Sequence, residues 1–578
     1  MITLWEPHAP QAAALPESIE LDGLALNVYG GAASSRRVAL GVMEIDVTGD
    51  ADVRLEWRLP CTEAAAYWTP GGSSSRWLPA AWAKPQSSTL ANGSTVGSLI
   101  GSGDKAICTF AAAQTIALAS AGVAEESGEF RVWVQARGRL TVRIDLSARH
   151  YAQTLADVAS WWSGGGAQHV PDAARMPAYS TWYSMHQNIS PAAVETQSAL
   201  AKDLGCDVII VDDGWMTADR TRGYGHCGDW EPLSLPETGK HVQRVHDQGM
   251  AYVLWYALPF IGWDSAVWDR FKPYALRNLE HMQAIVVDPR YPAVRDYLVG
   301  RLVRAVEEWG MDGLKIDFVD WFAAPDAPAP GPEADCEEVA DGVERLLAAI
   351  HGRITAANPE AMVEHRQPYV SHGLWPYASM IRATDCPLSP AENRQRTVDL
   401  RLTSGPLAVH ADMLMWHPSE TPEQVGVHLI NVLFSVPQIS VDLTTQTPEQ
   451  LEALRFWLGQ FRSNRDVLQL GRFQPARPEL GYPLVRVSGA DTVVVARYAP
   501  LPVEVPATGW THFLVANADH DTRVLLIGDF RGELHATVQD ARGRTVSRGM
   551  VSFERSITEV CVPTGGLLTL ANRTSEGE

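Results

Sequence analysis

The feature that most constrains this chain is a series of eight short apolar segments between residues 178 and 443, interleaved with stretches of helical periodicity. The segments are AYSTWYS (178–184), DVIIVDD (207–213), AYVLWYAL (251–258), GLKIDFV (313–319), AMVEHR (361–366), MIRATD (380–385), LAVHADM (407–413) and QISVDL (438–443). Among the intervening stretches are PAAVETQSALAKDLG, CEEVADGVERLLAAIHGRI and TPEQVGVHLINVLFSV. Parallel strands can be joined only by a crossover, so this alternation is the pattern of βα units. Eight units over about 300 residues fit a (β/α)8 TIM barrel with insertions. A doubly wound sheet would carry a Gly-rich phosphate turn after its first strand; here that strand runs into YSMHQNISP.

The flanks read differently. Before the barrel, runs such as VALGVMEIDV, VRLEWRLP, FRVWVQARG and LTVRIDLSA are separated by Gly, Ser, Asp and Pro, the pattern of an antiparallel β-sandwich. A helical stretch, YAQTLADVASWW, leads into a Gly- and Pro-rich boundary near residues 163–177. After the helix PEQLEALRFWLGQFRSNRDVL, short strands return (LVRVSG, TVVVARYA, HFLVANA, RVLLIGD, LHATVQD, ITEVCVP) and predict a smaller C-terminal β-sandwich. The expected division is an N-terminal β-sandwich domain over 1–165, a catalytic barrel over 175–470 and a C-terminal β-sandwich domain over 475–578. The acidic end RTSEGE is expected to fray.

Lys plus Arg number 47 against 68 Asp plus Glu, a formal charge of −21. Such a surface repels phosphate backbones and anionic lipid, so neither nucleic acid nor membrane is an expected partner. The seven Cys form no CxxC pair, which argues against a zinc knuckle or a disulfide framework. The first 20 residues lack a basic segment followed by an apolar one, and no run reaches the length of a spanning helix. The expectation is a cytoplasmic protein.

In a barrel of this kind, reactive groups project from the C-terminal ends of strands. Asp212 and Asp213 end the second segment, Asp317 the fourth and Asp385 the sixth. Lys315 and Asp317 alternate with apolar residues and share a face, an arrangement costly inside a barrel unless each finds a partner. Two carboxylates facing each other across a gap the size of a sugar ring are what glycosidic bond cleavage needs. The 20 Trp, against 15 Tyr and 13 Phe, point the same way: ten lie between 178 and 443, and an indole face packs against the C–H side of a pyranose. Trp182, Trp215 and Trp255 fall at strand ends, where they are expected to bind. Trp309 and Trp457 read as helix core. His410, Asp412, Glu364 and His365 could be drawn as a metal cluster, but the first segment offers no pair of His to complete it. GGSSSR and GSGDK lack P-loop spacing, and the barrel has no GxSxG elbow.

The motifs STWYSM, VDDGWM, GDW, VLWY, LKIDF and IRATD, in that order, resemble those of glycoside hydrolase family 36, the α-galactosidase and raffinose synthase group. The resemblance covers the whole chain. It implies a retaining double displacement without cofactor or metal, with Asp317 as the nucleophile and Asp385 as the general acid and base, about 5–5.5 Å apart. By the same resemblance Asp212 and Asp213 hold the sugar's 4- and 6-hydroxyls, and Trp182, Tyr183, Trp255, Lys315 and Arg382 line the glycone subsite. Lys315 is expected to favour the ionised nucleophile, and a less compensated setting to keep Asp385 protonated. The chain departs from the family at WYALP, where WFEPE is typical, and at EHRQPYVSHG, which replaces a Cys- and Gly-rich stretch. The second departure puts Arg366 near the sugar, where it could read a carboxylate or a bulky polar group. The expected activity is hydrolysis of α-galactosides or related α-linked oligosaccharides. The alternatives are transglycosylation of the raffinose synthase kind, an α-glycosidase for an acidic sugar, and a carbohydrate-binding protein without catalysis. Oligomers are common in the family.

Overall fold

The computed structural model describes residues 17–21, 23–70, 76–164, 168–324, 326–553 and 557–572. The expectations for the extreme N-terminus, for GGSSS, for the centre of the 163–177 boundary and for the acidic C-terminal end lie outside these residues.

All eight expected strands form one parallel sheet. They are β1 (Ala178–Ser180), β2 (Val208–Val211), β3 (Ala251–Ala257), β4 (Gly313–Asp317), β5 (Met362–Arg366), β6 (Met380–Arg382), β7 (Ala408–His410) and β8 (Gln438–Ile439). Each neighbours the next from β1 to β7, and β8 pairs with β1 through Ala178–Gln438 and Tyr179–Ile439. Between β7 and β8 two isolated parallel bridges, His410–Val436 and Leu414–Ile439, stand in for a ladder. The barrel is therefore nearly closed.

Helices follow in the order a βα barrel needs: α1 (Pro191–Leu204), α2 (Thr238–Asp247), α3 (Pro292–Leu302), α4 (Val339–Ala357), α5 (Pro390–Thr403), α6 (Pro422–Asn431) and α7 (Pro448–Ser463). Their starts are written in the sequence. Five of the seven begin with Pro, whose missing N–H costs nothing at that position. Thr421 with Gln424, and Thr447 with Gln450, form reciprocal capping boxes on α6 and α7, satisfying amides that the first turn would otherwise leave bare.

The structure corrects the expected elements in three places. The segment AYSTWYS is strand only to Ser180, and Trp182–Met185 turns into a short helix. Between β3 and α3 the chain builds an antiparallel three-stranded sheet (Phe260–Gly262, Ala275–Leu279, Ala284–Val287), for which no strand was expected. Two pairs of N-terminal runs are each one long strand, Val42–Pro60 and Glu129–Asp145. These two pair antiparallel along their lengths inside a ten-stranded sheet. At the C-terminal side a seven-stranded and a three-stranded sheet share one core of Val495, Phe513, Leu526, Leu534 and their neighbours. That region begins at Arg472, within a residue or two of the barrel's last helical turn.

One continuous apolar core runs from Trp68 and Val96 in the N-terminal region, through β1 to β5, to Tyr482, Val485 and Leu514 in the C-terminal region. No described helix is long and apolar enough to cross a membrane.

Candidate active site

The C-terminal ends of the strands bring the expected residues to one mouth. Parallel register aligns Trp255 with Lys315, Ala257 with Asp317, and Lys315 with Glu364, so the inward positions of β3, β4 and β5 form a single polar layer above an apolar barrel.

Asp317, last residue of β4, is buried and fully bonded. Its Oδ2 accepts from Trp255 Nε1 at 3.1 Å, and its Oδ1 accepts from Phe318 N at 2.8 Å and from Arg366 Nε at 2.5 Å. Burial alone would raise its pKa, but Arg366, then Lys315 and Arg382, outweigh it and hold the carboxyl down at about 2. Phe318 takes a left-handed conformation, φ 65°, which turns the chain sharply so that its amide faces the carboxylate before it.

Lys315 points elsewhere than expected: its Nζ donates to Asp212 Oδ2 at 2.5 Å. It lowers the Asp317 pKa only through space, and the direct partner of Asp317 is Arg366. Arg366 spans Asp317, the carbonyl of Gln367 at 2.6 Å and, at 3.8 Å, Asp320.

Asp213 sits behind Asp212. Gln187 Nε2 donates to its Oδ2 at 2.9 Å, while its Oδ1 is buried without a partner. Burial, with Asp212 and Asp317 nearby, pushes its pKa up to about 7 against the pull of Gln187. The turn that carries the pair needs Gly214, at φ +111°, where a Cβ would lie 2.5 Å from Gln187 Cα.

Arg382 is the hub of the opposite wall. It donates to Asp385 Oδ1 through both terminal nitrogens at 3.1 Å and to Asp412 Oδ1 at 2.6 Å, with Glu364 3.7 Å from its Nε. Asp385 is the open member, its side chain 54% exposed. Burial works to raise its pKa, but Arg382 and then Lys315 carry it below the usual carboxylate range. The expected protonated setting is thus not what this carboxyl has in the free protein: a forked arginine compensates it.

The aromatic expectations divide. Trp182 is half-buried, with Arg222 5.3 Å over its ring and His186 against its edge. Tyr183 donates its hydroxyl to Asp412 Oδ2 at 3.1 Å. Trp255 spends its indole N–H on Asp317 and is nearly inaccessible. Trp215 is corrected: it is fully buried, donates to the Trp255 carbonyl at 2.8 Å and stacks with Trp230. It supports the site from beneath.

Sequence reasoning passed over Asp412 and Gln187 as parts of this mouth. Asp412 lies two residues beyond β7 and fixes three things at once, Arg382, the Tyr183 hydroxyl and the Cys386 amide at 2.7 Å. Burial, with Asp385 close by, raises it to about 6 despite Arg382. The strand-end rule that finds Asp385 finds it equally. Of the residues that could be drawn as a metal cluster, His410 bonds the Ala174 carbonyl and Gln438, and Glu364 bonds Gln438. Among the described residues no group of three or more His, Cys, Asp or Glu is disposed to hold a metal ion.

The mouth thus pairs a strand-end Asp held ionised at its floor with a half-exposed Asp at its opening, within a ring of hydrogen-bonding side chains. Residues 178–362 match the melibiase family model. Alpha-galactosidase 2 of Pediococcus pentosaceus is 26% identical over 160 residues, 26% of this chain and 22% of that protein; the matched stretch thus spans about a fifth of the relative's length. The crystal structure of the α-galactosidase from Lactobacillus brevis superposes over 98% of this chain and 85% of that one, with TM-score 0.65 and 16% identity. That of the GH36 α-galactosidase AgaA from Geobacillus stearothermophilus covers 97% and 85%, with TM-score 0.63 and 13% identity. Over residues 178–362, then, the chain is similar to the melibiase family, and its fold is that of solved α-galactosidases.

Proposed function

We propose that this protein is a retaining α-glycosidase acting on α-galactosides or related α-linked oligosaccharides. The observation that carries the reading is the unequal pair: Asp317 is desolvated yet held ionised by three cations and an indole N–H, while Asp385 stands at the opening within reach of a leaving group and water. A buried, permanently charged carboxylate suits nucleophilic attack on an anomeric carbon; an accessible one suits proton exchange.

In the first step Asp317 attacks the anomeric carbon and the glycosidic C–O bond breaks, its electron pair leaving with the aglycone oxygen, which takes a proton from Asp385. In the second, Asp385 as carboxylate removes a proton from water, and that water displaces Asp317 with a second inversion. Because Arg382 holds Asp385 largely ionised, only its protonated fraction can serve the first step. The glycone is held by Asp212, Asp213, Lys315 and Arg382, with Trp182 and Tyr183 at the rim and Trp255 under the nucleophile. Arg366 is assigned to positioning Asp317, so the acidic-sugar alternative loses the side chain it rested on. The units 1–165, 175–470 and 475–578 are taken as a barrel between two β-sandwiches.

The test is turnover of a panel of aryl α-glycosides, in which the galactoside should lead. Asp317→Gly should abolish turnover and recover part of it with azide, as the β-galactosyl azide. Asp385→Ala should slow poor leaving groups by several orders of magnitude more than activated aryl ones. Undiminished activity in Asp317→Gly, or equal losses across leaving groups in Asp385→Ala, would overturn the assignments.

A further inference from the structure

In a chain of formal charge −21, three arginines share a cavity whose lining contains no Asp or Glu. The cavity, about 210 Å³, lies at the end of the barrel opposite Asp317 and Asp385: Gly405 and Leu407 enter β7 there, Phe434 precedes β8, and Ala152 and Phe473 close it from the flanking regions. Arg175, Arg401 and Arg472 all line it.

Their bonds are to neutral groups. Arg175 donates to the Pro406 carbonyl at 2.7 Å and to Gln469 Oε1 at 3.4 Å. Arg401 donates to the Phe434 carbonyl at 2.6 Å and to the Leu468 carbonyl, and lies over the Phe473 ring at 4.5 Å. Arg472 faces the side-chain amide of Gln153. Asp172 and Asp466, the acidic side chains that act on Arg175 through space, are paired with Arg465, at 3.9 and 2.9 Å. Among the described residues none of the three arginines forms an ion pair.

Carbonyls satisfy N–H groups but do not neutralise a guanidinium, so Arg175 and Arg401, both partly buried, lack a counterion, while Arg472 stands exposed at the cavity's rim. The strain shows in Arg401, whose pKa burial and then Arg175 pull down, and in Arg175, where burial and then Arg465 do the same. Arg401 sits in the last turn of α5, where a helix terminus favours a cation; that accounts for one of the three, since Arg175 and Arg472 come from other elements. Three planar forks lining one cavity offer donors that suit the oxygens of a tetrahedral anion. At about 30 Å³ per water, the cavity has room for such an anion with part of its hydration or a small substituent.

We propose that this cavity is a second ligand site, binding a phosphate group, free or carried on a small metabolite, through Arg175, Arg401 and Arg472, with the Ser404 hydroxyl at its edge. The occupant replaces the counterion the sequence omits.

The full-length protein is titrated with inorganic phosphate by calorimetry and by thermal unfolding, ionic strength being fixed with chloride. Phosphate should bind saturably and raise Tm where chloride does not. Arg175→Gln and Arg472→Ala, each melting cooperatively in chloride, should weaken binding at least tenfold; Arg366→Gln, at the other end of the barrel, should leave it intact. Hexose phosphates titrated in parallel identify the source: tighter binding than inorganic phosphate means a carried group, weaker binding the free ion. Absence of saturable binding by phosphate and hexose phosphates alike, or binding that survives both cavity variants, overturns the proposal.

Discussion

At the scale of single residues, the strand-end rule selected side chains that do converge, but it could not pair them. Lys315 and Asp317 share a face, and adjacency in sequence suggests that one serves the other; in space Lys315 reaches across to Asp212 and Arg366 takes Asp317. Partner choice inside a barrel depends on which strand stands opposite, which no local pattern encodes. The difference has consequences for pH. Arg366 is the leading charge holding Asp317 down, so Arg366→Gln should raise that pKa and move the acid limb of kcat/KM to higher pH, measured with an aryl α-galactoside; an unmoved limb would sink the positioning role. Asp213 makes a separate case. Its folded-state pKa of about 7 exceeds the roughly 3.9 of an unfolded chain. Between those values the folded state keeps a proton that the unfolded state has lost, so stability falls as pH rises through that window and levels off above it. Asp213→Asn, which cannot ionise, should remove that slope: its Tm should match the wild type near pH 4 and exceed it near pH 8. Parallel Tm curves would mean that Asp213 does not hold its proton in the folded protein.

At the scale of elements, period and punctuation carried more. All eight barrel strands were legible because each is a short apolar run bounded by turn residues, and most are followed by a helix with its own start signal, as Ser190–Pro191 and Thr421–Pro422 illustrate. Their C-terminal limits were not, since STWYSM is apolar and aromatic whether it runs straight or coils at Trp182. The three strands between 260 and 287 were hidden for a related reason: FIG, ALRNL and AIVV are too short for alternation to show. Where an element must turn, one residue can decide it. Gly214 lets the chain leave β2 with Asp212 and Asp213 facing the mouth, and the residue its Cβ would strike, Gln187, is the one that bonds Asp213 and the Arg222 amide. Gly214→Ala should therefore cost about 1–3 kcal/mol in urea unfolding and also depress kcat/KM by displacing Asp213. A loss of stability with full activity would show that the turn positions nothing catalytic.

At the scale of the whole molecule, composition marked out three units, but one apolar core runs through their junctions. Where they meet, Trp68 from the N-terminal sheet and Tyr482 from the C-terminal region both bond Asp399 of α5, the indole at 2.9 Å, and Arg76 pairs with the same carboxylate. The knot is buried, with both charged side chains about 5% exposed or less. None of its members is visible as a pair in the sequence, because the contacts join positions more than 300 residues apart as well as neighbours in α5's surroundings. Removing Arg76 would leave Asp399 as an uncompensated charge in the seam, an error that typically costs about 3–5 kcal/mol. Replacing both members with apolar residues should cost much less, since the desolvation penalty disappears with the pair. The expected outcome is that Arg76→Met lowers the denaturation midpoint of all three regions together, followed by tryptophan fluorescence and far-UV circular dichroism, whereas Arg76→Met with Asp399→Leu recovers most of the loss. If Arg76→Met instead released the N-terminal region alone, the two probes would separate into distinct transitions, and the continuous core from Trp68 to Leu514 would have to be read as contact between domains that fold independently.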